Sequence, residues 1–315
     1  MFVELRRPML LVALLTYASS LHEAVDANNA TLLRELLPHA QNKLEVLDEN
    51  GLTPLHLAAY HGHLEATQTL LDGGVPVDTT SEHGGMTALH WAIGQGHADL
   101  VRPLLTKGAQ ISLTDDGGRN ALHFAASRGF DDVLSTLLAE VPKEAPSAVL
   151  DAPSNLRVTP LQMAAEKGHA EAVQLLLAAG ALPNATADAA QISALHAAAA
   201  MGHEVIVDAL LRAGSLVEVR DARQRTPLHL AAAMGQQATV KALLEGGAAL
   251  ESRDSDGRTP RWLAERGRHT AVVAMLRTAG AQPGSPIRRL AKRVRRWWVQ
   301  LVSAERDREA CASSE

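Results

Sequence analysis

The stretch Thr53-Pro54-Leu55-His56-Leu57-Ala58-Ala59 decides the fold, because it recurs along the chain at an almost constant interval. Variants of it, separated by steps of 34, 33, 39, 34, 33 and 33 residues, begin at Thr87, Asn120, Thr159, Ser193, Thr226 and Thr259. A more degenerate copy begins at Ser19, 34 residues before Thr53. Eight copies in register over most of a 315-residue chain indicate a repeat protein.

Each copy has the pattern of a turn followed by two short helices. Positions are counted from the first residue of each copy, such as Thr53, which is position 0. A Thr, Ser or Asn at position 0 caps the first helix, and a following Pro fits its first turn. Glycine at position 9 favours the left-handed conformation that ends this helix, and paired leucines at positions 17 and 18 form the apolar face of a second helix. One such unit cannot bury its apolar face alone, so we expect stacked units to form the core.

The repeated unit resembles the ankyrin repeat. The resemblance rests on the strings at 53–59 and 226–232 and on Gly-His pairs such as 62–63. It implies an all-α ankyrin-repeat solenoid of helix-turn-helix units with β-hairpin loops, whose concave groove binds a protein partner. We therefore expect an apolar N-terminal segment, a repeat array, and a basic amphipathic helix with a tail, at residues 1–18, 19–283 and 284–315.

Composition and motifs favour a non-enzymatic scaffold or adaptor. An apolar content of 46% excludes wholesale disorder, and a net charge of −5 does not favour nucleic-acid binding. The single Cys311 excludes an internal disulfide framework. The sequence has no nucleophile elbow, no phosphate loop and no His-Glu-x-x-His motif. We expect no cofactor, no small-molecule substrate and a partner protein whose identity the sequence does not give.

The 14 histidines follow the repeat and do not indicate a metal site. Eleven of them occupy position 3 or position 10 of a copy. In the ankyrin family these side chains form hydrogen bonds within and between units. His56, His61 and His63 look like a ligand cluster, but two of the three are framework positions. We therefore predict no bound metal.

The columns that vary against the fixed framework are the candidates for partner binding. In ankyrin-like arrays the residue before position 0 and those at positions 7 and 8 face the concave groove. The candidates from these columns are Leu52, Tyr60, His61, Met86, Gln95, Arg128, Val158, Lys167, Ile192, Met201, Arg225 and Met234. Four of them predict an exposed apolar strip that docks an apolar protein segment: Val158, Ile192, Met201 and Met234. Alternatively, these four side chains pack on neighbouring hairpins.

The pattern of residues 286–301 predicts a basic amphipathic helix. The residues expected to contact a membrane or a partner helix are Arg288, Arg289, Lys292, Arg293, Arg295, Arg296, Trp297 and Trp298. Four interpretations remain open. The helix docks on the last repeat, lies on an anionic membrane surface, binds a helix-recognising protein, or acts in nuclear import or nucleic-acid binding. The membrane interpretation makes the protein a membrane-surface adaptor.

Residues 1–18 have two interpretations. Arg6-Arg7 before the apolar run 9–15 resembles a secretory signal, whereas a helix capping the first repeat fits equally. With the capping helix we expect an intracellular, cytoplasmic protein. A cleaved signal would make it secreted or periplasmic.

The long step from Asn120 to Thr159 places about six extra residues in 141–156. Three prolines in this stretch predict an extended, irregular loop. Such a loop is either neutral drift or a partner-specific feature of the binding edge.

Overall fold

The computed structural model describes residues 20–40, 44–143, 146–186 and 190–281. The predicted N-terminal segment 1–18 and the predicted C-terminal segment 284–315 lie outside these described residues. The described residues form helix pairs joined by tight turns, which confirms the predicted all-α repeat architecture. The chain divides into two compact units, Met1–Asp188 and Ala189–Glu315, called unit 1 and unit 2 below.

Each repeat contributes an inner helix, which follows the capping residue, and an outer helix, which follows the position-9 turn. The helices are α1 (20–26), α2 (Ala30–Ala40), α3 (Pro54–His61), α4 (Leu64–Asp72), α5 (Ala88–Gln95), α6 (Ala98–Thr106), α7 (Ala121–Arg128), α8 (Asp131–Ala139), α9 (Ser147–Leu150), α10 (Pro160–Lys167), α11 (Ala170–Ala178), α12 (Ala194–Met201), α13 (Glu204–Arg212), α14 (Pro227–Met234), α15 (Gln237–Glu245), α16 (Pro260–Arg266) and α17 (Thr270–Thr278).

The inner helices begin at the predicted caps. The Thr53 hydroxyl accepts a hydrogen bond from the backbone N–H of His56, and Nδ1 of His56 accepts one from the backbone N–H of Thr53. This reciprocal arrangement satisfies two backbone donors that a helix start otherwise leaves unpaired. The same capping box forms in five further repeats, between Thr87 and His90, Asn120 and His123, Thr159 and Gln162, Ser193 and His196, and Thr226 and His229.

Within each unit, inner helices pack on inner helices and outer helices on outer helices. In unit 1 the inner layer runs α3, α5, α7 and α10, and in unit 2 it runs α12, α14 and α16. From the second copy onward, the leucine at position 17 is fully buried between the layers, whereas the residue at position 18 is often only partly covered. The fully buried leucines at position 17 are Leu70, Leu104, Leu137, Leu176, Leu210, Leu243 and Leu276.

The turns that project before the inner helices are linked from repeat to repeat by backbone hydrogen bonds. In unit 1 the N–H of Glu82 donates to the carbonyl of Gly51 at 2.9 Å, and the N–H of Asp116 donates to Gly84 at 2.9 Å. In unit 2 the N–H of Ser255 donates to Arg223 at 2.8 Å. Within the described ranges these loops keep turn geometry and form no regular strand. They align the residues that precede each cap along one edge of the stack.

The predicted irregular loop at 141–156 is wrong in part. Residues Ser147–Leu150 form the short helix α9, and both Val149 and Leu150 are buried. The carbonyl of Val149 accepts a hydrogen bond from the side-chain amide of Asn120 at 3.0 Å. The insertion therefore contributes two apolar side chains to the core of unit 1, and its backbone is fixed to a helix cap.

Candidate interaction surfaces

Buried side chains hold the turns that carry one group of candidates, the residues just before position 0. One carboxylate oxygen of Asp221 accepts from the backbone N–H groups of Arg223 and Arg225, and the other lies 2.7 Å from the Arg225 guanidinium. Asp254 holds Arg258 in the same way. Because its guanidinium is engaged in this pair, Arg225 presents only part of its side chain to a partner.

The inner-helix ends that carry positions 7 and 8 are fixed by the following repeat. Nε2 of His97 lies 3.0 Å from the carbonyl oxygen of Tyr60, and Nε2 of His269 lies 2.9 Å from that of Ala233. In the repeat that begins at Thr226, position 10 is Gln236, and its side-chain amide donates to the carbonyl of Ala200 at 3.1 Å. Each of these bonds satisfies a carbonyl at the end of a helix. The residues at position 8 therefore project from a firmly held backbone.

The candidates differ in exposure. Seven are exposed, namely Tyr60, His61, Gln95, Arg128, Lys167, Met201 and Met234. Four are half-buried, namely Met86, Val158, Ile192 and Arg225. Leu52 is buried, and its carbonyl accepts a hydrogen bond from His22 at 3.0 Å. The column before position 0 therefore offers less side-chain surface than positions 7 and 8.

In unit 2 the exposed apolar candidates reduce to a methionine pair, Met201 and Met234. They hold position 8 of adjacent repeats, and their side chains are 53% and 58% exposed. Their inner helices, α12 and α14, pack directly on each other. Ile192 precedes α12, and the eight residues of that helix place it about 12 Å from Met201. Val158 belongs to unit 1.

Unit 1 carries an acidic groove of about 720 Å³ between its first two repeats. The residues that line it are His22, Glu23, Asp26, Val46, Leu47, Asp48, Glu49, Asn50, Leu52, Leu57, Tyr60 and His61. Four are carboxylates, and none of these lining residues is Lys or Arg. Tyr60 packs edge-on against both His61 and Trp91, with ring centroids 5.0 and 5.5 Å apart. The groove therefore combines an aromatic wall with four carboxylates, of which Asp26 lies 3.5 Å from Nε2 of His61.

Five of the position-3 histidines are neutral framework groups. Burial lowers the pKa of His90 and His123 to about 4, and it also lowers the pKa of His56, His196 and His229. Nδ1 of His123 accepts from the backbone N–H of Asn120, so the single ring proton lies on Nε2, 3.0 Å from the carbonyl oxygen of Val158. A second ring proton would remove the Nδ1 bond.

Sequence reasoning missed a pair of exposed leucines that share one position of the repeat outside the groove columns. Leu182 and Leu216 are 54% and 62% exposed. Both hold position 23, just after the outer helix, where other copies have Pro76, Gln110 or Ala249. A large apolar residue at a repeat position that is otherwise polar or small is the sequence signal that could have identified these two leucines.

In the described part of the chain, no three His, Cys, Asp or Glu side chains come together in a way that could hold a metal ion. The same residues contain no helix that is both long and apolar enough to cross a membrane. Most of the position-3 and position-10 histidines bond to backbone groups, for example His56, His97 and His269.

A family model for ankyrin repeats in sets of three copies matches overlapping segments that together span residues 21–286. The chain belongs to the ankyrin repeat family. Ankyrin repeats are a non-catalytic domain family, and they typically mediate protein–protein interactions.

Similarity to individual curated ankyrin repeat proteins is confined to short stretches. An ankyrin repeat protein of fowlpox virus is 36% identical over 59 residues, which are 19% of this chain and 8% of the viral protein. Human ankyrin repeat domain-containing protein 49 is 41% identical over 54 residues, which are 17% of this chain and 23% of the human protein. The aligned parts thus span less than a quarter of either relative's length.

Proposed function

We propose that this ankyrin repeat protein is an adaptor that binds an apolar segment of a partner protein at the methionine pair of unit 2. The observation that carries the proposal is the exposure of Met201 and Met234 at the same position of two adjacent, directly packed repeats. Methionine adapts its shape to a bound surface, and neighbouring exposed apolar side chains are typical of interaction sites.

The backbone beneath the pair supports this role. The carbonyl that precedes each methionine, on Ala200 and Ala233, is bonded to the side chain of the following repeat. Both helices end at the methionine, so the side chains project from helix ends whose positions are set before binding. A surface that is organised in advance loses less conformational entropy on association.

Site-directed photocrosslinking tests the proposal. A photoreactive amino acid at position 201 or 234, introduced in the native host cells, should capture one common partner. The double substitution Met201→Glu and Met234→Glu should abolish capture from a probe at neighbouring Gln237. The control is Val205→Glu, which adds the same charge at a 62% exposed valine on the outer helix α13. Equal capture by the double variant and the control would refute the proposal.

A second candidate function is a membrane-surface adaptor anchored by residues 286–301. The observation that favours it is compositional, because this stretch has six basic residues, no acidic residue and the paired Trp297-Trp298. Its residues lie outside the described part of the structure. Sedimentation with vesicles that contain phosphatidylserine should require the stretch and weaken with salt. Equal sedimentation with neutral vesicles would argue against an electrostatic anchor.

A further inference from the structure

The groove columns of unit 2, which are the position before each cap and positions 7 and 8, hold three arginines and no acidic residue. Two of these arginines belong to ion pairs. Arg225 lies 2.7 Å from the carboxylate of Asp221, and Arg258 lies 2.7 Å from Asp254 and 2.6 Å from Asp256. The charge of both is therefore compensated within their own turns.

The third arginine, Arg266 at position 7 of the last repeat, has no acidic partner among the described residues. It is exposed, and the neighbouring carboxylate of Glu265 is engaged by Arg261 at 2.9 Å. The guanidinium carbon of Arg266 lies 5.4 Å from the centre of the Trp262 ring. A cation–π contact of this kind holds the guanidinium in place and leaves its N–H donors available to a ligand.

Trp262 stands at position 3, where most other repeats have the histidine of the capping box. Its side chain is half-buried, and the guanidinium carbon of Arg258 also lies 5.7 Å from its ring centre. Across the described ranges, the indole N–H of Trp262 meets no acceptor. The end of the groove thus offers two unused kinds of hydrogen-bond donor, an indole and a guanidinium, and both suit a ligand oxygen.

This cationic end adjoins the methionine pair. The carbonyl oxygen of Ala233, the residue before Met234, lies so near Gly267 that a Cβ there would be 3.3 Å away. Gly267 directly follows Arg266, so the helix ends that carry Met234 and Arg266 lie side by side. Adjacent packed helices are about 10 Å apart. The order across the groove is therefore Met201, Met234 and Arg266.

A peptide matches this surface better than a nucleic acid does. Residues 190–281 contain 11 basic and 9 acidic side chains, so their net charge is small. Nucleic-acid binding depends on many contacts between cations and phosphates, and it normally shows as a strongly basic surface. One unpaired arginine next to two exposed methionines instead matches a carboxylate that lies next to apolar side chains.

We propose that the partner segment bound by unit 2 is acidic as well as apolar. Its apolar side chains cover Met201 and Met234, and one of its carboxylates binds the guanidinium of Arg266 beside Trp262. This inference rests on the adaptor function proposed above and gives the chemistry of its partner. An extended segment rises about 3.3 Å per residue, so the spacing of about 10 Å places the carboxylate about three residues from the side chain on Met234.

A displayed library of random peptides, selected on the full chain, tests the inference. Bound peptides should carry Asp or Glu about three residues from a large apolar residue. Arg266→Glu should weaken their binding about tenfold or more. The matched control is Arg277→Glu, because Arg277 is also an exposed arginine in the last turn of a helix of this repeat, but on the outer helix α17. It should change the affinity less than about twofold.

Exchanging the charges shows whether the two groups meet. Replacing the acid of a selected peptide by lysine should abolish binding to the wild-type chain. The same peptide should bind Arg266→Glu to within about fivefold of the original affinity. A lysine peptide that prefers the wild-type chain would refute the pairing. Acidic peptides that bind equally well to Arg266→Glu occupy another site, such as the basic stretch 286–301, and would also refute it.

The double substitution Met201→Ser and Met234→Ser adds no charge and separates this inference from the adaptor function. Peptides that require the methionines but carry no acid and ignore Arg266→Glu would preserve the adaptor function and overturn the acidic partner. Peptides that bind the double variant as tightly as the wild-type chain would overturn both, as would a selection that enriches no peptide. A single-stranded oligothymidylate that requires Arg266 and binds more tightly than every selected peptide would identify a nucleic-acid site instead.

Discussion

The imidazole of His97 lies directly over the α-carbon of Gly62, so that a Cβ at residue 62 would collide with Nδ1 of the ring. The same ring bonds through Nε2 to the carbonyl of Tyr60, two residues before the glycine. Position 9 is therefore glycine for two reasons. Its φ of 75° is unfavourable for other residues, and the next repeat occupies the space of a side chain.

The two reasons can be separated by comparing two alanine variants. Gly62→Ala should lower the free energy of unfolding by about 2–4 kcal/mol, because strain and the collision with His97 add. Gly74→Ala is the control, since its φ is 81° but nothing lies within 4 Å of the added Cβ. It should cost only about 1 kcal/mol. Urea denaturation measures the free energy of unfolding of both variants. Equal losses would show that the contact between Gly62 and the next repeat contributes nothing to the requirement for glycine.

Acid should destabilise the array through its buried position-3 histidines. The pKa of His90 and His123 is about 4 in the folded chain, against about 6.5 in the unfolded chain. A lowered histidine pKa means that the unfolded state binds the proton more tightly. The stabilisation is complete above pH 6.5 and is lost as the pH falls towards 4. At pH 5 we expect a loss of about 1–2 kcal/mol for each of these two histidines. A urea midpoint that does not change between pH 7.5 and pH 5 would contradict this.

The chain itself supplies a non-titrating replacement for these histidines. Gln162 occupies position 3 of its repeat, accepts from the N–H of Thr159 at 2.8 Å and donates to the carbonyl of Ala185 at 3.0 Å. His123→Gln should therefore keep stability at pH 7.5 within about 1 kcal/mol and reduce the loss at pH 5 by about 1–2 kcal/mol. His83→Gln, at an exposed turn, is the control for the effect of a His-to-Gln substitution outside the helix caps.

The buried carboxylate of Asp254 should matter more for its hydrogen bonds than for its charge. It accepts from the backbone N–H groups of Asp256 and Arg258 and from the Arg258 guanidinium. In another repeat the hydroxyl of Ser81 accepts from the N–H of Met86 in the equivalent turn. Asp254→Leu should cost about 3–5 kcal/mol, and Asp254→Ser should cost clearly less, because a hydroxyl can still accept a backbone bond. Thermal melts of both variants at pH 7 measure the difference, and equal losses would argue against this role.

The insertion of unit 1 should behave as part of the core. Leu150 in α9 is fully buried, so Leu150→Ala should cost about 2–4 kcal/mol. Leu156 in the same insertion is 81% exposed, and Leu156→Ala should change stability by less than about 0.5 kcal/mol. If thermal denaturation gives the two variants equal stability, α9 does not contribute to folding.

The sequence predicts the repeated framework well because each framework residue has a local role that recurs in every copy. Caps such as Thr53, helix-ending glycines and position-17 leucines appear in the structure where the spacing predicts them. Departures from the spacing are harder to interpret. The turn before Thr87 is longer by one residue, so Ser81 and not Glu82 accepts the backbone hydrogen bond that Asp221 and Asp254 accept in their turns.

The candidate surfaces are less predictable, because exposure depends on partners that single columns do not show. Leu52 is buried under the preceding repeat, and Arg225 is held by Asp221 four residues earlier. The acidic groove combines residues from α1, from the turn after α2 and from α3. Predicting which residues line the groove requires knowledge of which helices face each other. The predicted segments 1–18 and 286–301 lie outside the described residues, so they remain predictions.

The position-10 side chains that hold the inner-helix ends all reach back along the chain. The ring of His97 reaches back to Tyr60, Gln236 reaches back to Ala200, and His269 reaches back to Ala233. Each later side chain thus attaches to a carbonyl that the ribosome has already synthesised. A nascent chain can therefore fasten the helix pairs that carry these side chains to the preceding repeat as they emerge, without waiting for the carboxyl terminus.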